Sequence, residues 1–375
     1  MRLCNTIRNG LTRISALVLV TFFLGITMQP ANAQISNTGQ FMQSNVADAN
    51  LLIQAYTEPF SKGYSSVAST GWVHRAKPKS RFGFDISVGF GLAVVPESDR
   101  SFDLNDFDFQ RLRPVNPGNT ISPTVSGSSS SGPEVEVFQP VTLEDGTQEE
   151  LELLTFILPQ GSGFSYIPGP TIQGSVGLPY GTEIMLRLIP EVTVGDYGSV
   201  STWGFGFMHS VDQWIPAPLP IDISVMASYV ETNLSSGFSI MPASHDSDPN
   251  NYNTPDRWEN QSVKLNSSVF TANVLIGRSL GPLSLYGGFG LSHGDMTVVM
   301  EGDYPVIVAE VDGNGNATGR RELDIITDPI DIDYDTQSAF RGVVGASVRL
   351  GIMRISADAS FADYPVVNAK LSFGL

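Results

Sequence analysis

Cysteine is almost absent from this 375-residue chain: Cys4 is the single one, and it precedes an apolar run from Ile14 to Met28. Disulfides, thiolate metal sites and cysteine nucleophiles are therefore excluded from everything downstream. Charge is scarce as well, at 16% of residues against about 25% in ordinary soluble domains. Basic residues are the scarcer kind, 21 Lys and Arg against 38 Asp and Glu, for a net charge of −17. So acidic a chain lacks the phosphate-neutralising surface on which nucleic-acid binding depends. Beyond Met28 there is no run of eighteen consecutive apolar residues, so no spanning helix is expected. His74, His209, His245 and His293 are scattered, with no partner at metal-ligand spacing. His209 and Ser210 are neighbours on an expected strand and point to opposite faces, so they cannot act as a base and nucleophile pair. No phosphate-binding loop occurs. No catalytic residue, cofactor or metal is expected, and the chain is not expected to be an enzyme.

What the chain does have is alternation. From Phe82 to Val94 every even position is large and apolar (Phe82, Phe84, Ile86, Val88, Phe90, Leu92, Val94). The odd positions between them are small or polar (Gly83, Asp85, Ser87, Gly89, Gly91, Ala93). A period of two is a strand with two unlike faces, and about 9–11 such residues cross a bilayer with an apolar face toward lipid. The 37 glycines suit a crowded inner wall, where a backbone or side chain must come close. The expected fold is all-β: an antiparallel transmembrane β-barrel of about 10–12 strands with an N-terminal plug or cap helix. A secreted β-sandwich is the alternative.

Three parts are expected. Arg2, Arg8 and Arg13, the apolar run and the small-residue site Ala31-Asn32-Ala33 have the order of a secretory signal peptide, 1–33. Its removal leaves 18 basic residues against 38 acids, about −20. Residues 34–80 form a plug or cap with a helix over 44–63. Ser44 is the expected cap, and Pro59 and Gly63 are expected to bend or end the helix. Ala49, Leu52, Ile53, Tyr56 and Phe60 share one face, and an apolar stripe must be buried against something. The barrel mouth or lumen is the surface at hand, and a free helix is the bland alternative. Residues 81–375 form the barrel.

From Pro170 a meander is legible, and its last strand, Val367 to Leu375, is expected to close against Phe82–Val94. Ten strands place the short turns at 179–182, 214–219, 277–282 and 350–352 in the periplasm. They place the long stretches 97–169, 233–260 and 303–335 outside. The hairpin signal at Asp145-Gly146 marks two more strands over 134–158, which would make twelve. Asp312-Gly-Asn-Gly-Asn316 is similar to the start of a calcium loop, but Leu323 stands where the bidentate Glu belongs, so a hairpin tip is expected. The acids Asp99, Asp103, Asp106, Asp108, Asp328, Asp331, Asp333 and Asp335 suit either a solvated surface or divalent cations near lipopolysaccharide.

Strand parity gives an expected lumen-lining set: Asp85, Glu183, Arg187, Glu191, Asp212 and Asp222, then Arg341, Arg349, Arg354, Asp358 and Lys370. Buried charges must be paired, so an ion-pair network across the lumen is expected. It serves either as a polar passage or simply as stiffening of the interior.

Several segments together resemble an uncharacterised family of Bacteroidetes outer-membrane proteins. They are Ala55-Tyr56-Thr57-Glu58-Pro59-Phe60, Gly71-Trp72, Ala76-Lys77-Pro78, Gly83-Phe84-Asp85, Leu178-Pro-Tyr-Gly-Thr182, Gly195-Asp-Tyr-Gly198 and Gln213-Trp-Ile-Pro216. The resemblance implies an outer-membrane barrel and no catalytic residues. The layout, plug then barrel, is also similar to that of long-chain fatty-acid transporters, an analogy of arrangement only. Expected partners are outer-membrane lipid and lipopolysaccharide, the barrel-insertion machinery and an unidentified small solute. The leading expectation is a passive channel for small molecules, hydrophobic ones included, gated by the helix. The other is a closed barrel acting through its acidic outer loops.

Overall fold

The computed structural model describes residues 41–42, 44–193, 198–216 and 219–375; the expected signal peptide and most of the 195–198 turn lie outside them. One α-helix, α1 (Val46–Ala68), precedes strand β1 (Phe84–Val94). Five short strands follow: β2 (Ser101–Asp103), β3 (Leu112–Pro114), β4 (Ile121–Pro123), β5 (Glu134–Thr142) and β6 (Gln148–Ile157). Next come β7 (Tyr166–Leu178), β8 (Thr182–Thr193), β9 (Ser199–Ser210), β10 (Asp222–Phe238), β11 (Gln261–Leu280) and β12 (Leu283–Glu301). The hairpin β13 (Asp303–Val311) and β14 (Ala317–Thr327) leads to β15 (Ile330–Leu350), β16 (Met353–Phe361) and β17 (Val366–Gly374).

Ten strands close one antiparallel barrel in the order β1, β7 to β12, β15, β16, β17 and back to β1. Closure joins the first and last strands as expected, with Asp85 opposite Gly374 and Ala93 opposite Val366. No edge is left unpaired. The hairpin over 134–158 does not raise the count to twelve. β5 and β6 pair with each other and with β3 in a separate small sheet. Val94 lies opposite Tyr166, so the whole insertion leaves and rejoins the barrel at its long-loop end.

Alternation on the wall produces the two faces. On β1, Phe84, Ile86, Val88 and Leu92 are exposed, while Asp85, Ser87, Gly91 and Ala93 are buried. The exposed apolar belt has a sharp upper border. Leu285, Phe289 and Leu291 of β12 give way to outward His293 and Asp295, and Val348, Val344 and Phe340 of β15 give way to Asp335, Asp333 and Asp331. The rings of Trp203 and Tyr229, 5.6 Å apart, sit near this border, and Phe207, His209 and Trp214 stack at the other. An apolar band between aromatic girdles is the exterior of a transmembrane barrel. Among the described residues no helix is long and apolar enough to cross a membrane.

Several strands overshoot the bilayer. β11, β12 and β15 have 20, 19 and 21 residues, about twice what a crossing takes. The hydrophobic alternation read from sequence marked only their lipid-facing halves, because above the belt it inverts: Val263, Leu265, Met296 and Val298 turn inward, and polar residues such as Lys264, Thr297 and Asp333 turn outward. These extensions form a cup, apolar inside and polar outside, and α1 stands in it.

α1 differs from expectation in place and in bounds. It runs over Val46–Ala68 rather than 44–63, capped by the Asn45 side chain, which accepts from the Asp48 N–H at 2.9 Å; Ser44 instead donates to the Phe41 carbonyl. Pro59 lies inside the helix without ending it, and Gly63 continues it. A Cβ at Gly63 would lie 2.6 Å from Ile167 Cγ1, so the glycine gives the wall room to approach. Along the helix Ala49, Leu52, Ile53 and Tyr56 are completely buried and Phe60 nearly so, and Val67 beyond them is buried as well. The helix does not cap the barrel at its short-turn end. Its first turns pack into the long-loop insertion, where the Asp48 carboxylate accepts from the N–H groups of Gln110 and Arg111 and Tyr56 donates to the Gln160 carbonyl. A ten-strand wall has little space for a helix about 10 Å wide at membrane depth; α1 is instead bonded to β15 above the lipid belt.

The plugged lumen as candidate functional site

Below α1 the chain descends through the barrel as an irregular strand of residues 69–80, and the wall holds it at successive levels. Ser65 bonds Thr336 at 2.7 Å, and Ser61 bonds Tyr334 at 2.7 Å, both on β15 above the lipid belt. Next, Val67 presses on two glycines: a Cβ would stand 2.0 Å from its Cγ1 at Gly169 and 2.9 Å at Gly91. Gly71, in the left-handed region at φ 65°, turns the chain past Asn368. Trp72 is then laid against Gly206, where a Cβ would come within 2.9 Å of its ring. Ser224 donates to the Ala76 carbonyl at 2.6 Å, and Lys79 reaches the short-turn end. There the chain reverses through Phe82, at φ 63°, into β1.

Wall cations supply most of this grip. Arg187, buried on β8, donates to the carbonyls of Ala68 and Thr70 at 3.0 Å each and lies 4.0 Å over the Trp72 ring. Lys370 of β17 donates to the Gly71 carbonyl at 2.7 Å, and Arg341 of β15 to Ser69 Oγ at 2.6 Å. Tyr286 and Gln173 add bonds to the carbonyls of Val73 and Trp72. The last turn of a helix presents carbonyls without partners and the negative end of its dipole, so cations gathered there are doubly favoured. Irregular backbone at membrane depth has the same need for donors.

Among the described residues no acid forms a close ion pair with these cations, although Asp358 lies within electrostatic reach of all three. Asp85 and Glu183 both bind Lys79, whose Nζ lies 2.9 and 2.6 Å from their carboxylates, and the Lys79 N–H also donates to Glu183. Ser175 completes Asp85 at 2.6 Å. Asp358 accepts from Asn368 at 2.8 Å, and Asp222 pairs with Lys77 at 3.2 Å. The expected network across the lumen is therefore replaced by one between wall and plug, because the plug occupies the axis along which acid and base would have met.

Three expected lumen residues are elsewhere. Glu191 is exposed: the ladder slips between Ile189 and Val192, where Pro190 has no N–H to donate, and the slip reverses the faces. Asp212 lies in a tight turn, accepting from Ser210 Oγ at 2.6 Å. Arg349 is exposed at the short-turn rim, with its Nε donating to the Gly351 carbonyl. Arg354, by contrast, is buried, and it donates to Ser347 Oγ at 3.1 Å. Parity turns Gln173 and Asn368 inward, but being uncharged they are not in the expected set; Lys79 precedes β1 and carries no parity signal.

The plug leaves little space at its centre. The void beside Thr70–Val73 is about 20 Å³, room for about one water. A cleft of about 740 Å³ opens below it, and one of about 390 Å³ above, beside Lys62, Asp99 and Tyr364. Gly290-Leu-Ser-His-Gly294 has the spacing of a hydrolase nucleophile elbow, yet it lies within the extended ladder of β12, with Ser292 buried and His293 outside. His293, Asp295 and Asp335 could share a cation on the outer surface, but all three are exposed. At the β13–β14 tip, Asp312 accepts from the N–H groups of Asn314 and Asn316, the hairpin turn expected there.

Set against known proteins, the chain is similar in structure to three barrels. It is 10% identical to the outer membrane protease OmpT of Escherichia coli (79% of this chain, 99% of that one, TM-score 0.28). It is 10% identical to the translocator domain of the autotransporter NalP of Neisseria meningitidis (85% and 95%, TM-score 0.30). It is 8% identical to the toluene transporter TodX of P. putida (82% and 98%, TM-score 0.24). Likeness at this level carries no argument about activity. No curated protein matches the chain. The chain belongs to a family of unknown function, DUF6588, whose family model matches residues 12–375.

Proposed function

We propose that this protein is an outer-membrane channel for small molecules, exported by its signal peptide and held shut at rest by residues 44–80. It is a passive conduit with no catalytic role, resting in lipid and lipopolysaccharide after insertion by the barrel-assembly machinery. One observation carries the reading: Arg187, Arg341 and Lys370 on the wall all donate to the plug, through the carbonyls of Ala68, Thr70 and Gly71 and the Ser69 hydroxyl. A barrel that needed only a stiff interior would pair these cations with wall acids. Here, displacing the plug uncovers a ring of positive charge at the narrowest level, and such a ring favours anions and anionic solutes.

Planar-bilayer conductance tests this, comparing the refolded chain with and without residues 34–80, each shown to be folded by heat-modifiable migration. Channels that appear or enlarge on deletion, with anion preference, are the expected result. Equal silence from both folded forms would sink the proposal and leave a sealed barrel. That second reading has its own support in the outward column of Asp331, Asp333 and Asp335 above the lipid belt, an acidic surface for a cationic partner.

A further inference from the structure

The 740 Å³ cleft at the short-turn end is lined by Arg75, Lys77, Lys79, Arg81, Arg349 and Arg354. Six cations in one cleft stand out in a chain with 21 basic residues and net charge −17. The nearby acids are already taken: Asp85 and Glu183 by Lys79, Asp222 by Lys77. Arg81 is laid over the Phe82 ring. Arg75, Arg349 and Arg354 remain, and among the described residues none of them forms an ion pair. Each has a single neutral acceptor: the Pro78 carbonyl for Arg75, the Gly351 carbonyl for Arg349 and Ser347 Oγ for Arg354. The Nε of Arg75 is shielded from solvent and has no hydrogen-bond partner. The three guanidiniums lie within electrostatic reach of one another, each charge disfavouring the next, and Glu183 and Asp85, already bound to Lys79, offset part of that repulsion at Arg75 and Arg354.

Gathering unpaired guanidiniums is unfavourable unless something neutralises them, and an unsatisfied buried N–H adds to the cost. Both penalties vanish if an anion with several acceptor oxygens enters. A guanidinium fork fits a phosphate through two parallel bonds, and three forks match an oxyanion with three free oxygens. We propose that this cleft is a binding site for a phosphate or phosphate monoester, held by Arg75, Arg349 and Arg354, with the rest of the molecule in the remaining volume. The site faces the end with the short turns and does not require that anything cross the barrel, so it stands or falls separately from the channel reading.

Calorimetric titration of the full-length protein, purified from membranes in detergent, tests it with inorganic phosphate and with a monomeric short-chain phosphatidic acid. Succinate serves as the carboxylate control. At least one phosphate probe is expected to bind more tightly than succinate. Arg349→Gln and Arg75→Gln are each expected to weaken binding at least ten-fold, and Arg320→Gln, on the distant β14, to leave it unchanged. Arg349 is exposed, so its variant keeps the fold; heat-modifiable migration verifies both. Binding of inorganic phosphate points to a soluble ligand, and binding of phosphatidic acid alone to a lipid headgroup. Binding by neither, or binding that survives Arg349→Gln intact, overturns the site.

Discussion

The N-terminal segment joins two stretches held by different forces. Residues 46–68 are a regular helix whose apolar stripe is buried in the cup and the long-loop insertion. Residues 69–80 have no regular structure and hang in the lumen from side chains of the wall. The first stretch is held by area removed from water, which is non-directional and indifferent to small shifts. The second depends on a few directional bonds to carbonyls, each lost abruptly when the donor moves. A plug built this way has a fixed anchor and a releasable stem, so displacement is expected to begin in the stem.

Tyr56→Ala attacks the anchor and has the largest expected effect. The ring is fully buried against Phe41, at 5.6 Å, and its hydroxyl ties the helix to Gln160. Loss of such a residue costs about 3–5 kcal/mol. The expected result is a lower melting temperature and faster proteolysis within 97–165, with bilayer conductance unchanged. If conductance rises as much as on deletion of 34–80, the anchor and the stem are one unit and the comparison fails.

This contrast also explains what could be read in advance. Burial leaves a trace in composition, so Leu52, Ile53, Tyr56 and Phe60 were found by spacing alone, and the wall by its period of two. Bonds from side chains to backbone carbonyls leave none, since any residue type supplies the carbonyl. Parity turns Arg187 and Lys370 inward, but it cannot say that their partners are backbone carbonyls of the plug and not acids. Glu191 was misplaced because a ladder slip at Pro190 reverses parity in a way that counting cannot follow. The helix outran Pro59 because tertiary packing along its stripe outweighed one lost backbone bond.

Arg187→Leu attacks the stem, with a smaller expected loss of about 2–4 kcal/mol, from two carbonyls left without donors. Here conductance is expected to rise while the 97–165 insertion keeps its resistance to protease, the reverse of Tyr56→Ala. A variant that loosens the loops and leaves the barrel silent would show that the wall cations serve the anchor instead.

The least disruptive test asks which way the segment runs. Its helix begins beside Gln110 and Arg111 in the long-loop insertion, and Lys79 ends beside Glu183, one residue from the short turn at Pro179–Thr182. If the long loops are extracellular, as such barrels arrange them, residue 47 faces the outside and residue 77 the periplasm, although only thirty positions separate them. Cys4 is the chain's single cysteine, so a Cys4→Ala background gives a clean label. Ala47 and Lys77 are both exposed, and replacing either disturbs at most the surface pair of Lys77 with Asp222, worth about 0–1 kcal/mol. In intact cells a bulky membrane-impermeant maleimide is expected to label Ala47→Cys and to spare Lys77→Cys, which reacts only after the outer membrane is opened. The opposite pattern would invert the barrel and put the anchor in the periplasm. The arginine cleft would then be the surface-exposed site, and any solute entering the barrel from outside would meet guanidiniums first.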